Sequence, residues 1–194
     1  MRKSKDKDFE LIISVKEGDT SGFRFLVDKY KDVSFSLAYS ILKNQQDAED
    51  ALQESFVKAF KGLKSFKFKS SFATWLYKIV VNTCKTKYES QKRYQQALEY
   101  DSESTTKHDI PDNTSMDMIY SNEQKVLVNR ILDLIKEEEA LLLRLYYLAE
   151  LNINEIKEVT GFKESKIKVT LHRGRKNFQL KFEKMYGKEI ISSS

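Results

Sequence analysis

A chain of 194 residues has room for one ordinary domain or two small ones. One proline and six glycines argue against turn-rich sandwiches and barrels, and a single cysteine beside two histidines excludes a disulfide framework and leaves no zinc cage. The excess of 34 basic over 29 acidic residues, a net charge of +5, is too small to identify a nucleic-acid binder by itself; what matters is where those charges fall.

The N-terminal stretch from Met1 to Asp8 leads only into the short apolar run Leu11-Ile12-Ile13, which Glu17 soon ends. It does not read as a signal peptide, and no apolar run approaches the roughly 20 residues that cross a bilayer, so a cytoplasmic protein without membrane insertion is expected. Helical spacing then takes over. Phe23, Leu26, Val27 and Tyr30 form one stripe, Ala48, Leu52, Phe56, Ala59, Phe60 and Leu63 a second, and Phe72, Trp75, Leu76 and Ile79 a third. The segment from Lys64 to Ser71 interrupts the last two and reads as a loop. Near residue 94 the pattern dissolves, and residues 99 to 117 are polar, net acidic and hold the only proline, which predicts a flexible linker. Periodicity returns at about Glu123 and lasts to about Met185. The expected organisation is all-α, with helical domains over 1–94 and 123–187, a linker over 95–122 and a tail over 188–194.

Within the first domain, Asp47, Asp50 and Glu54 share a helical face opposite the apolar stripe. No histidine stands ready to complete a metal site, so a basic partner surface or plain solvation is the better use of that face, and no metal or cofactor is expected. Downstream, Ser70 to Tyr88 mixes aromatic and cationic residues. Such a mixture can stack unpaired bases and hold phosphates, although Phe72 and Trp75 taken alone read as core. Phe66 and Phe68, flanked by Lys64, Lys67 and Lys69, are harder to place in a core.

The sharpest motif is C-terminal. Asn152 followed by Glu155 is a variant capping box that can start a helix, Ile156 and Val159 give it an inner face, and Gly161 can end it in the left-handed conformation. A second helix begins near Glu164 or Ser165, with Ile167, Leu171 and Phe178 turned inward. This is the helix-turn-helix arrangement. Its second helix carries Lys166, Lys168, His172, Arg173, Arg175 and Lys176, of which Lys168, His172, Arg175 and Lys176 gather on one outer face suited to a major groove. A packing hairpin with a solvated basic side is the plainer reading of the same pattern.

Taken together, the block from Asp47 to Phe60, the stretch from Phe66 to Asn82 and the segment from Glu155 to Lys176 resemble the extracytoplasmic-function sigma factors, promoter-reading subunits of bacterial RNA polymerase. The resemblance implies a region 2 helical bundle and a region 4 helix-turn-helix, with core polymerase and promoter DNA as partners and, as a further one, an anti-sigma factor, which in that family is often membrane-anchored. It makes Asp47, Asp50, Gln53 and Glu54 candidate polymerase contacts. Phe66, Lys67, Phe68, Lys69, Ser70, Ser71, Trp75, Lys78, Asn82 and Lys85 become candidates for the −10 element, including a flipped, unpaired base. Lys166, Lys168, Val169, His172 and Arg173 face the −35 element, with Arg175 and Lys176 nearer its phosphates. Two departures stand out: no proline follows Leu134, and Gly174 replaces a usual alanine at a helix cost of about 1 kcal/mol.

Other readings stay open on residues alone. A freestanding helix-turn-helix regulator would bind duplex DNA without polymerase, but has no need of the acidic helix or the aromatic, cationic segment. An enzyme acting on nucleic acid would want a glycine-rich phosphate loop, a metal cluster or a positioned nucleophile, and the sequence offers none. A helical adaptor would not touch DNA at all. If the basic helix binds DNA, reversing Arg173 and Lys176 to glutamate weakens promoter binding, most at low salt, in a salt-series electrophoretic mobility assay; an adaptor would be indifferent.

Overall fold

The computed structural model describes residues 2–101 and 123–191. Every regular element among them is helical, and they form two compact units. Most of the expected linker, 102–122, lies outside the described residues, as do 192–194.

The first unit contains α1 (Arg2–Glu17), α2 (Ser21–Leu42), α3 (Gln45–Leu63) and α4 (Phe72–Asp101). Two residues join α2 to α3. Lys43 takes a left-handed conformation (φ 54°) and donates its N–H to the Tyr39 carbonyl, and Asn44 then caps α3 by accepting the Asp47 N–H at 3.0 Å. The buried side of α3 is built from small residues, Ala48, Ala51, Ser55 and Ala59, all fully buried, so α2 and α4 pack closely on it. Leu26, Leu37, Leu63, Leu76, Val80 and Val81 fill the space around them. Cys84 is buried in this core as expected, and burial pushes its thiol up to about 12. Two boundaries differ from the sequence reading. Helix α4 continues to Asp101, past the point where apolar spacing ends, because a helix backbone satisfies its own hydrogen bonds without an apolar stripe. Phe60, assigned to the apolar stripe, is instead 40% exposed: it lies on the outer shoulder of α3 against Phe23, at a ring separation of 5.0 Å.

The second unit contains α5 (Glu123–Asp133), α6 (Glu137–Leu143), α7 (Ile153–Thr160) and α8 (Glu164–Ile191). Glu137, Glu138 and Glu139 occupy the first turn of α6, where the helix dipole favours them. The helix then widens into a π turn over Arg144–Leu148, closed by the Ala149 N–H donating to the Arg144 carbonyl at 2.9 Å. Asn152 and Glu155 form the capping box of α7, and Gly161, at φ 74°, ends it. Helix α8 runs through Ile191, beyond the expected start of the tail. Ile131, Leu142, Leu145, Ile156, Ile167 and Leu171 form the core.

Two features here were not foreseen. Gly174 is buried against α6, where a Cβ would come within 3.2 Å of Leu143 Cδ1 and 3.3 Å of Glu139 Cβ. The glycine therefore serves the close approach of α8 to α6, which offsets its helix cost. Arg144 is completely buried and paired to Asp133 at 2.8 Å, a charge pair that ties α5 to the π turn. Breaking such a pair leaves a stranded charge, whereas replacing both partners with apolar residues does not. Asp133→Ala is expected to cost about 3–5 kcal/mol in urea unfolding, and Asp133→Leu with Arg144→Met to recover most of it.

Candidate nucleic-acid interface

The acidic residues of α3 divide into an inner and an outer set. Asp47 is tied to α4: its carboxylate accepts Lys87 Nζ at 2.9 Å and Gln91 Nε2 at 2.9 Å, and the same ammonium reaches Asp50 Oδ2 at 3.2 Å. Partial burial works to raise the Asp47 pKa, but the Lys87 and Gln91 hydrogen bonds and the Lys87 charge prevail and hold it below the ordinary carboxylate value. The same balance holds Lys87 above the ordinary lysine value: burial works to lower it, and the bonds to Asp47 and Asp50 outweigh that. Asp50, Gln53 and Glu54 are exposed, and Glu54 pairs along its own helix with Lys58 at 2.7 Å.

The exposed face does not stop at the carboxylates. Val57, 51% exposed, and Phe60 continue it at helical spacing, so Asp50, Gln53, Glu54, Val57 and Phe60 form one strip that is acidic at one end and apolar at the other. Sequence periodicity missed the apolar end because Phe60 falls at the spacing of the core stripe and Val57 lies outside it.

The loop from Lys64 to Ser71 is anchored rather than loose. Phe66, expected to be a loop aromatic open to bases, is 6% exposed and packs among Phe68 (4.9 Å), Trp75 (4.9 Å) and Phe72 (6.3 Å). It is the hydrophobic anchor of the loop, since burying a phenylalanine outweighs anything its ring would gain in water. Trp75 packs on Gly62 of α3, whose Cβ position lies 3.2 Å from Trp75 Cζ2. Lys16 of α1 fixes the loop from the other side, donating to the Phe66 carbonyl at 2.6 Å and lying 4.9 Å from the Phe68 ring centre. Phe68 is held at φ 55°, a strained value for a phenylalanine, and remains 38% exposed beside Phe9 of α1 at 4.9 Å. Lys67 and Lys69 point to solvent. Ser71 begins α4 by accepting the Thr74 N–H at 3.1 Å. Ser70, Ser71, Phe66, Phe68 and Phe72 line a cavity of about 270 Å³ whose other wall is Asp8, Phe9 and Ile12 of α1. Along α4, Trp75, Lys78, Asn82 and Lys85 share a face, with Lys78 and Asn82 exposed and Lys85 half-buried.

In the second unit, Val169 (49% exposed), His172, Arg173 and Lys176 stand on the outer face of α8 at intervals of three, four and seven residues. Lys166 and Lys168 flank them, engaged at the surface by Glu138 at 2.7 Å and Glu164 at 2.5 Å. Exposed pairs of this kind are worth at most about 1 kcal/mol and exchange readily for phosphate. Arg175 departs from the expected basic face. Its Nε donates to the Tyr147 hydroxyl at 2.8 Å and its guanidinium lies over Tyr146 and Tyr147, because the π turn delivers two tyrosines beside it. Val128, Leu132, Leu143, Tyr147, Leu148 and Phe178 line an apolar groove of about 290 Å³ next to it.

Known proteins resemble this chain in sequence and in fold. Residues 26–94 match the family model for sigma-70 region 2. The chain is 31% identical over 175 residues to the ECF RNA polymerase sigma factor SigW of Bacillus subtilis, covering 84% of this chain and 90% of that protein. It is 28% identical over 183 residues to the ECF RNA polymerase sigma-E factor of Haemophilus influenzae, covering 91% and 95%. Its fold matches the sigma factor RpoE of Bartonella quintana, solved with the anti-sigma factor NepR, with a TM-score of 0.62 and 18% identity over 83% of this chain and 96% of that one. A protein with a region 2 bundle and a helix-turn-helix is a sigma factor of the sigma-70 type. This chain belongs to the extracytoplasmic-function family of RNA polymerase sigma factors.

The Lys87 bridge gives a pH test. A lowered Asp47 pKa contributes stability above the ordinary aspartate value that is lost as pH falls through the folded value; a raised Lys87 pKa contributes stability that is lost only as pH rises through its own. Lys87→Met is expected to lower stability by about 1 kcal/mol at neutral pH, with the gap from the parent protein closing below the aspartate range in urea midpoints measured against pH.

Proposed function

We propose that the two units divide promoter recognition between them, with the first (1–94 and the rest of α4) serving polymerase binding and the −10 element and the second (123–187 and the end of α8) serving the −35 element. The acidic and apolar strip of α3 docks on core RNA polymerase. The loop from Lys64 to Ser71 and the α4 face of Trp75, Lys78, Asn82 and Lys85 hold the opened −10 strand, its cations on phosphates and its exposed aromatics on bases. Helix α8 enters the −35 major groove through Val169, His172, Arg173 and Lys176, with Lys166 and Lys168 on the backbone.

The observation that carries this reading is the α3 strip. Val57 and Phe60 are apolar side chains left in water beside exposed carboxylates, an arrangement that suits a partner with an apolar patch rimmed by cations. Asp47 takes the different role of positioning α4 through Lys87 and Gln91, and Phe66 that of anchoring the loop. Such a protein performs no catalysis of its own; binding energy from the polymerase contact supports strand opening. Its setting is the cytoplasm, in keeping with the absence, among the described residues, of any helix long and apolar enough to cross a membrane. An anti-sigma factor is a further expected partner, as NepR is for RpoE of Bartonella quintana.

Size-exclusion chromatography with sigma-free core polymerase tests the docking strip. The parent chain is expected to co-elute, and Glu54→Lys with Val57→Glu to elute alone while keeping its helical circular dichroism. Co-elution of the double variant would move the contact elsewhere, and no complex with the parent chain would sink the reading.

A further inference from the structure

The cations on the outer side of α8 fall into two sets. Arg173 and Lys176 stand exposed, with no partner among the described residues. Lys166 and Lys168 are occupied. The Lys166 ammonium bonds Glu138 of α6 at 2.7 Å and lies 3.9 Å from the ring centre of Phe162, in the turn between α7 and α8. The Lys168 ammonium bonds Glu164, one turn back along α8, at 2.5 Å. The hydrogen bond and charge of Lys168 hold the Glu164 carboxyl below its ordinary value. Both carboxylates are about half exposed, so neither pair is there to neutralise a buried charge. Each pair instead occupies an ammonium with an anion that the protein itself carries.

Binding to DNA of arbitrary sequence depends on free cations. A lysine that meets a phosphate releases condensed counterions, and affinity grows with the number of phosphates neutralised. A paired lysine must first give up its carboxylate, which is then left uncompensated beside a polyanion. We infer that Glu138 and Glu164 are a brake on DNA binding by the helix-turn-helix, withholding Lys166 and Lys168 from the backbone of arbitrary duplex and leaving Arg173 and Lys176 as the cations at hand. With a net charge of +5 the whole chain is drawn to a polyanion, and an unrestrained basic helix would add to that pull. At the −35 element, base contacts hold the helix in register, so the phosphates stay beside the lysines and the exchange becomes local. This rests on the reading of α8 as the DNA-binding helix. It adds two residues that oppose binding, one of them outside the helix-turn-helix.

The test is fluorescence anisotropy of the full chain on a short labelled duplex of arbitrary sequence, measured over a salt series. Glu138→Gln and Glu164→Gln are each expected to tighten binding by about two- to fivefold at low salt. Each should also steepen the slope of log affinity against log salt, by up to about 0.9 per lysine released. Removing a negative charge near DNA tightens binding even without a pair, so the decisive step is a double-mutant cycle. The gain from Glu164→Gln should vanish in a Lys168→Gln background, and that from Glu138→Gln in a Lys166→Gln background. Gains that persist undiminished there overturn the brake and leave plain repulsion. No gain from either carboxylate variant, while Arg173→Glu with Lys176→Glu still weakens binding, overturns the brake and keeps α8 as the DNA-binding helix. No change from that charge reversal overturns both.

Discussion

The first unit depends on how near its neighbours can come to α3. Along one side of that helix stand alanines and a serine, and Gly62 follows beneath Trp75. Small side chains let two helices close on a third until their own larger residues meet across it, and the attraction per atom pair is so short-ranged that a few tenths of an ångström matter. With that side fixed inward, the opposite side of α3 has no choice but to face out, and it carries Asp50, Gln53, Glu54, Val57 and Phe60. The exposed strip is thus the complement of the packing stripe. The same logic governs α8, where Ile167 and Leu171 are turned into the core and Gly174 lies against α6, leaving Val169, His172, Arg173 and Lys176 outside.

Much of this was legible in the sequence, for identifiable reasons. The first helix of the helix-turn-helix could be read to its ends because its punctuation is local: Asn152 and Glu155 satisfy the first N–H groups of α7, and Gly161 adopts a backbone angle that side chains resist. What escaped was set by tertiary contact. Nothing in a run of alternating phenylalanines and lysines says that Phe66 goes in while Phe68 stays partly out; Trp75, Phe72 and the hydrogen bond from Lys16 decide it. Arg175 had the spacing of a groove-facing cation, and two tyrosines in a π turn drew it aside.

The glycine at 174 shows how a family-level expectation and a local structure can both be right. Judged by helix propensity it is a weak point, and judged by the distance to Leu143 and Glu139 it is a fitted one. Asn177, one turn further on, donates to Glu139 at 2.7 Å, so the same stretch of α8 that approaches closest is also held by a hydrogen bond to a buried carboxylate. The angle at which the recognition helix leaves its support is therefore specified twice, once by shape and once by a polar contact.

Trp75 is the only tryptophan in the chain, and it sits where α3, α4 and the anchored loop meet, with Phe66 on one side and Gly62 on the other. Near-ultraviolet absorption and emission from an indole respond to the polarity and rigidity of what surrounds it. The molecule thus carries an optical reporter at the base of its own Lys64–Ser71 loop, needing no label. A shift in that signal on adding a partner would register a change at the loop itself, separately from whatever happens along α3 or in the helix-turn-helix.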